Sequence, residues 1–165
     1  MSPIIRTNIL LLLLAMALAW SIYIRQAESI ADYTPITSLA SDQINKITIQ
    51  KEGNTLLILK KHGQQWLNAL GDEAAIDTAW VNKLLHISQL PSLHHFPLAN
   101  KDPKVFGLHP PRYQLQLNDT VLDFGKIDPA TGLRYIQIGS QIHLISDSYT
   151  HYLVSGHKQG RSEND

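Results

Sequence analysis

Tyr113-Gln114-Leu115-Gln116-Leu117-Asn118-Asp119-Thr120-Val121-Leu122-Asp123-Phe124 is the stretch whose reading decides the fold. Tyr113, Leu115 and Leu117 alternate with Gln114, Gln116 and Asn118. That period of two puts apolar side chains on one side of a strand and polar ones on the other. Asn118-Asp119 turns the chain, and Val121-Leu122-Asp123-Phe124 returns as a second strand. The same pattern recurs on both sides. Ile47-Thr48-Ile49-Gln50 and Thr55-Leu56-Leu57-Ile58-Leu59 flank a turn expected at Gly53-Asn54. Tyr135-Ile136-Gln137-Ile138 and Ile142-His143-Leu144-Ile145 flank Gly139-Ser140. Gln65-Trp66-Leu67 reads as a further short strand, with Trp66 a core plug or a rim residue, and Asp128-Pro129-Ala130-Thr131-Gly132 as a longer turn.

One main helix is expected from Asp77 to about Leu90. Asp77 or Thr78 supplies the capping oxygen, and Trp80, Val81, Leu84, Leu85 and Ser88 share one side. Pro91 ends it. Leu93 to Leu98 reads as an extended connection. Asp102-Pro103 should open a short helix ending at Phe106, closed by Gly107 in the left-handed conformation. Ser41-Asp42-Gln43 and Tyr149 to Leu153 read as helical turns. The expected fold class is α+β: a single domain of antiparallel β-hairpins packed against one main helix, preceded by an N-terminal transmembrane helix.

That N-terminal helix is expected from the uncharged run Thr7 to Ile24, bracketed by Arg6 and Arg25. Its eighteen residues extend about 27 Å as a helix, close to the roughly 30 Å of a bilayer core. Trp20 and Tyr23 stand at the end where amphipathic rings favour the headgroups. Ala17-Leu18-Ala19 also has the small-x-small form of a signal-peptidase site. The apolar run continues past it through Trp20, Ile22 and Ile24, which favours an uncleaved anchor. The expected organisation is an anchor over 1–25, a tether over 26–38, the α+β body over 39–153 and a flexible tail over 154–165. The short N-terminal tail places the N-terminus in the cytoplasm and the body in the periplasm or outside the cell.

Charged residues are 17% of the 165, and the net charge is zero. A nearly neutral body without a basic run is not built for nucleic acid. It also lacks the Lys/Arg cluster that grips anionic headgroups. There is no cysteine, hence no disulfide, thiol nucleophile, cysteine zinc site or acylated lipoprotein anchor.

Candidate chemistry is sparse. Eight histidines include the adjacent pair His94-His95, whose side chains would leave a strand on opposite faces. His86 precedes them without an HExxH spacing. Asp72-Glu73 reads as a solvated turn. Asp123 on its strand and Asp128 in the following turn could approach as an acid/base pair, or Asp128 could cap its own turn. Arg134 is placed to pair with either. Gly125-Lys126 lacks the preceding glycine and following Ser/Thr of a phosphate loop. No catalytic, cofactor-binding or metal residue is assigned, and the chain is expected not to be an enzyme.

Several pieces in order resemble a bacterial family, the domain of unknown function number four-three-four-zero. They are Thr37-Ser38-Leu39 leading to Ile44-Asn45-Lys46-Ile47-Thr48-Ile49, Leu59-Lys60-Lys61 with Trp66, and the helix from Ala79 to Leu90. Phe106-Gly107-Leu108-His109-Pro110-Pro111, Leu122-Asp123-Phe124-Gly125-Lys126 and Gly132-Leu133-Arg134-Tyr135-Ile136 complete the order. The resemblance implies a membrane-anchored extracytoplasmic domain, in some members associated with gliding-motility-type ABC transport systems, and brings no catalytic motif. The expected function is a non-enzymatic membrane-anchored periplasmic accessory or protein-interaction domain, partnered by a membrane complex or transporter subunits. The alternative is a periplasmic module for a small molecule or metal, using His94, His95 or the loop around Asp128.

Overall fold

A computed structural model describes residues 8, 12–18, 20, 34–70 and 76–155, and the chain divides into two units between Tyr33 and Thr34. In the first unit, residues 12–18 and Trp20 are helical. Leu12, Leu13, Leu14, Met16 and Leu18 are all exposed there. Among the described residues no helix is long and apolar enough to cross a membrane. The transmembrane helix expected over 1–25 is therefore not supported by them, and half of the Thr7 to Ile24 run lies outside the described residues.

The second unit is built on one sheet of eight strands. They are β1 (Lys46–Lys51), β2 (Asn54–His62), β3 (Gln65–Asn68), β4 (His94–Pro97), β5 (Tyr113–Leu117), β6 (Thr120–Ile127), β7 (Arg134–Ile138) and β8 (Gln141–Ile145). Their order is β3-β2-β1-β5-β6-β7-β8-β4, and every neighbouring pair is antiparallel. Two long connections make this order. The first contains helix α1 (Thr78–His86) and carries the chain from edge strand β3 to the opposite edge, β4. The second, residues 98–112, returns it to the middle, where β5 pairs with β1.

Register decides what each face carries. Ile47 lies opposite Leu59 and Leu117, and Ile49 opposite Leu57 and Leu115. Leu115 then faces Leu122, and Phe124 faces Ile136. These side chains form one buried cluster with Trp80, Val81, Leu84 and Leu85 of α1. The helix forms there because its apolar residues recur at 3–4 spacing and Asp77 caps it, accepting the Ala79 N–H at 2.8 Å. It is shorter than the Asp77–Leu90 span expected. The last turn tightens to a 3-10 helix at Ile87–Gln89, and the Ser88 hydroxyl donates to Leu85 O. Trp66 proves a core residue. Helix α2 (Thr150–Ser155) closes the unit, and the Trp80 indole N–H donates to Tyr152 O.

The other face is polar along its centre. Thr48 lies opposite Gln116, Gln116 opposite Val121, Gln114 opposite Asp123, and Asp123 opposite Gln137. At the β8–β4 end it turns apolar again. Ile142, Leu144 and Leu108 are buried outside the main cluster. The Phe106 ring sits 5.6 Å from Phe96 and 5.1 Å from Tyr135. Residues 98–112 thus cross this face. Their Pro103–Phe106 3-10 turn is capped by Asp102 and closed by Gly107 at φ +69°, as its sequence requires. Gly125 makes that crossing possible: a Cβ there would stand 2.3 Å from Phe106 O.

Three expectations change. The first hairpin turns at Glu52-Gly53, one residue before Gly53-Asn54. Both residues have positive φ, +50° and +82°, as a tight hairpin turn matching the strand twist requires. The connection at Leu93 to Leu98 contains strand β4, which pairs with β8 alone and so carries little pattern. Finally, residues 34–38, read as the end of a tether, belong to the body. Pro35 bridges Pro91, Ile36 is buried and bonds Leu90 O, and the Thr37 hydroxyl donates to Ser88 O at 2.9 Å. The tail after Ser155 and residues 71–75 lie outside the described residues.

Candidate functional site

The histidines divide as strand geometry demands. His95 lies opposite His143, with ring centroids 5.9 Å apart, whereas His94 lies opposite Leu144 on the other face. His143 Nδ1 is 2.9 Å from the Ser92 hydroxyl, which itself donates to His94 O. Burial pushes the His143 pKa down, and the neighbouring His95 charge pushes the same way. His86 stands elsewhere, its ring 5.5 Å from Tyr149. Among the described residues, no group of three or more His, Cys, Asp or Glu is placed to hold a metal ion. The register that sends His94 and His95 apart leaves two imidazoles where the metal alternative needs a fuller ligand set.

The carboxylates are likewise separated by their partners. Asp123 accepts from Gln114 Nε2 at 2.7 Å across the β5–β6 pair. Asp128 accepts from the Thr131 hydroxyl at 2.7 Å and from the Ala130 N–H, closing the β6–β7 turn. The Thr131 bond leads in holding its carboxyl below the usual value, with smaller help from the Tyr135 hydroxyl. The structure therefore gives Asp128 the turn-capping role and does not join it to Asp123. Asp72-Glu73 lies outside the described residues.

Arg134 takes neither carboxylate expected of it. Its Nε donates to Asp147, just after β8, and its Nη1 to Gly125 O. Arg134 heads β7 opposite Ile145, so Asp147 is the nearer carboxylate once β8 has paired. Burial raises the Asp147 carboxyl, but hydrogen bonds from Arg134 and Thr150 and the Arg134 charge outweigh it and hold the group low.

Arg134 also lines a cleft of about 540 Å³. The opening follows from strand lengths. β5 begins at Tyr113, opposite Phe124, so the end of β6 runs on without a β5 partner. A register shift between Phe124 and Ile127 separates the same residues from regular pairing with β7. Glu52, Arg112, Lys126 and Ile127 line the gap together with Pro110 and Pro111. Sequence reasoning missed this site, since the residues come from four separate segments and no local spacing links them. A second, smaller cleft of about 340 Å³ lies between the Ser41–Gln43 turn, the β2–β3 turn and α1, with Lys61, Asp42 and Asn82 on its walls.

No protein-family model matches the chain, and neither the curated proteins nor the solved structures contain a match to it.

Proposed function

We propose that this protein is a non-enzymatic, membrane-anchored accessory domain that meets a protein partner outside the cytoplasmic membrane, in the manner implied by its resemblance to the four-three-four-zero family. One observation carries the interaction role: the open sheet presents a central face of hydrogen-bonding side chains, mostly amides, whose carboxylate Asp123 already accepts from Gln114. Gln50, Gln114, Gln116 and Gln137 stand there half-buried beside Thr48 and Val121. Such a surface offers donors and acceptors to a partner, as polar interface regions do. Strand addition at an edge is the poorer route, since β3 and β4 are each four residues long. The anchorage in this reading rests on the uncharged sequence run Thr7 to Ile24, within which Leu12, Leu13 and Leu14 are exposed.

A photo-crosslinking residue placed at Gln116 or Gln137, in the full chain expressed in its own host, tests the proposal. A discrete crosslinked protein from these positions, absent with the same group at exposed Asn82 on α1, which covers the opposite face, is the expected result. Crosslinks of equal pattern from all three positions, or none from the sheet face, would sink it.

A further inference from the structure

The cleft at the end of β6 holds two cations that the fold does not use. Arg112 and Lys126 are exposed, and among the described residues the ion pair is that of Arg134 with Asp147. Each is nonetheless positioned. The Arg112 guanidinium lies 5.8 Å over the Tyr113 ring. The Lys126 stem runs along Gly107, where an added Cβ would meet Lys126 Cβ at 3.2 Å and Cγ at 3.6 Å. Arg134 shares the lining, but its charge is already answered by Asp147. Glu52 is the one carboxylate of the lining. The remaining wall is apolar: Pro110, Pro111 and Ile127, the last 42% exposed.

We propose that this cleft binds a small phosphate ester, with its phosphoryl group between Arg112 and Lys126 and its organic part against Pro110, Pro111 and Ile127. A guanidinium offers paired N–H donors to an oxyanion and an ammonium adds a point charge, so two unpaired cations suit a phosphate dianion. At about 540 Å³ the cleft exceeds what a bare inorganic anion fills and falls in the range of small-molecule sites. Exposed Ile127 supplies the apolar surface that an organic substituent would remove from water. Glu52 opposes the anion and limits affinity. The lining shares no residue with the glutamine-lined sheet face, and the proposal does not depend on the accessory role.

The test is a titration of the ¹⁵N-labelled full chain in neutral detergent with phenyl phosphate and with inorganic phosphate. Backbone amides of Gly107, Gly125 and Lys126 report. Saturable shifts are expected, tighter for phenyl phosphate. Arg112→Gln and Lys126→Gln each weaken binding about tenfold, the loss of one charge-assisted hydrogen bond. Glu52→Gln tightens it, while the rest of the spectrum stays unchanged in every variant. No saturable shift, or one that keeps its strength in the Arg112→Gln/Lys126→Gln double variant, overturns the proposal, as does equal affinity for the two phosphates. Nanodiscs of phosphatidylglycerol, compared with phosphatidylcholine, separate the sources: shifts of the same amides identify a lipid headgroup, and shifts with the soluble ester alone identify a free metabolite.

Discussion

Asn118 carries more of the fold than its place in a two-residue turn announces. At φ +52° its Oδ1 accepts the N–H groups of Asn45 and Lys46, at 3.0 and 3.1 Å, and its Nδ2 donates to Gln43 O at 2.9 Å. The chain entering β1 is thereby tied to the β5–β6 turn, more than seventy residues away. Asn118→Ala is expected to lower stability by roughly 2–4 kcal/mol, from lost hydrogen bonds and strain at positive φ. Asn118→Gly should recover the backbone part alone, so urea midpoints ordered wild type, Gly, Ala are expected; Gly equal to wild type would remove the side-chain role. The sequence marks Asn118 as a turn residue because asparagine tolerates that conformation. It cannot mark the three bonds, whose partners are set by the β1–β5 pairing. Arg134 shows the same limit: nearby Asp123 and Asp128 offered themselves in sequence, and Asp147 was brought close by β8.

At the scale of elements, β4 is where acid should act first. His143 on β8 lies opposite His95 on β4 and has its pKa depressed by burial. The unfolded chain takes up this proton near the ordinary value of 6.5, whereas the folded state resists until lower pH. This part of the stability is therefore present above about pH 6.5 and is lost as pH falls below it. Asp147 contributes in the same direction at lower pH, since its carboxyl is held below the ordinary 3.8. The thermal midpoint should drop between pH 7 and 5.5 in wild type and drop less in His143→Gln; identical drops would exclude His143. Elements with a full period were readable: the β5–β6 hairpin shows its buried face from Tyr113 to Phe124, and α1 shows its own in nine residues. β4 was not, because four residues paired on one side, ending in Pro97, carry neither alternation nor length.

The whole body begins earlier than hydrophobic patterning suggests. Ile36 is 5% exposed and Thr37 is buried, yet neither belongs to a periodic run. A chain of residues 34–155 is expected to be about 3 kcal/mol more stable to urea than residues 39–155, from the buried isoleucine and the Thr37 bond. Equal midpoints would return residues 34–38 to the tether. Fold class was readable at this scale because alternation, turns and one capped helix agree with one another. The strand order was not, since the pairing of β1 with β5 and of β4 with β8 depends on two crossings, one on each face. That order has a consequence for the protein's behaviour at high concentration. The segments richest in isoleucine, Ile47-Thr48-Ile49 and Ile136-Gln137-Ile138, are the kind that seed fibres when left at a sheet margin. Here each has a strand on both sides, and the margins are four-residue stubs, one bearing adjacent histidines and a proline. Eight strands laid open, without closure into a barrel, are in this way kept from growing end on end into polymers.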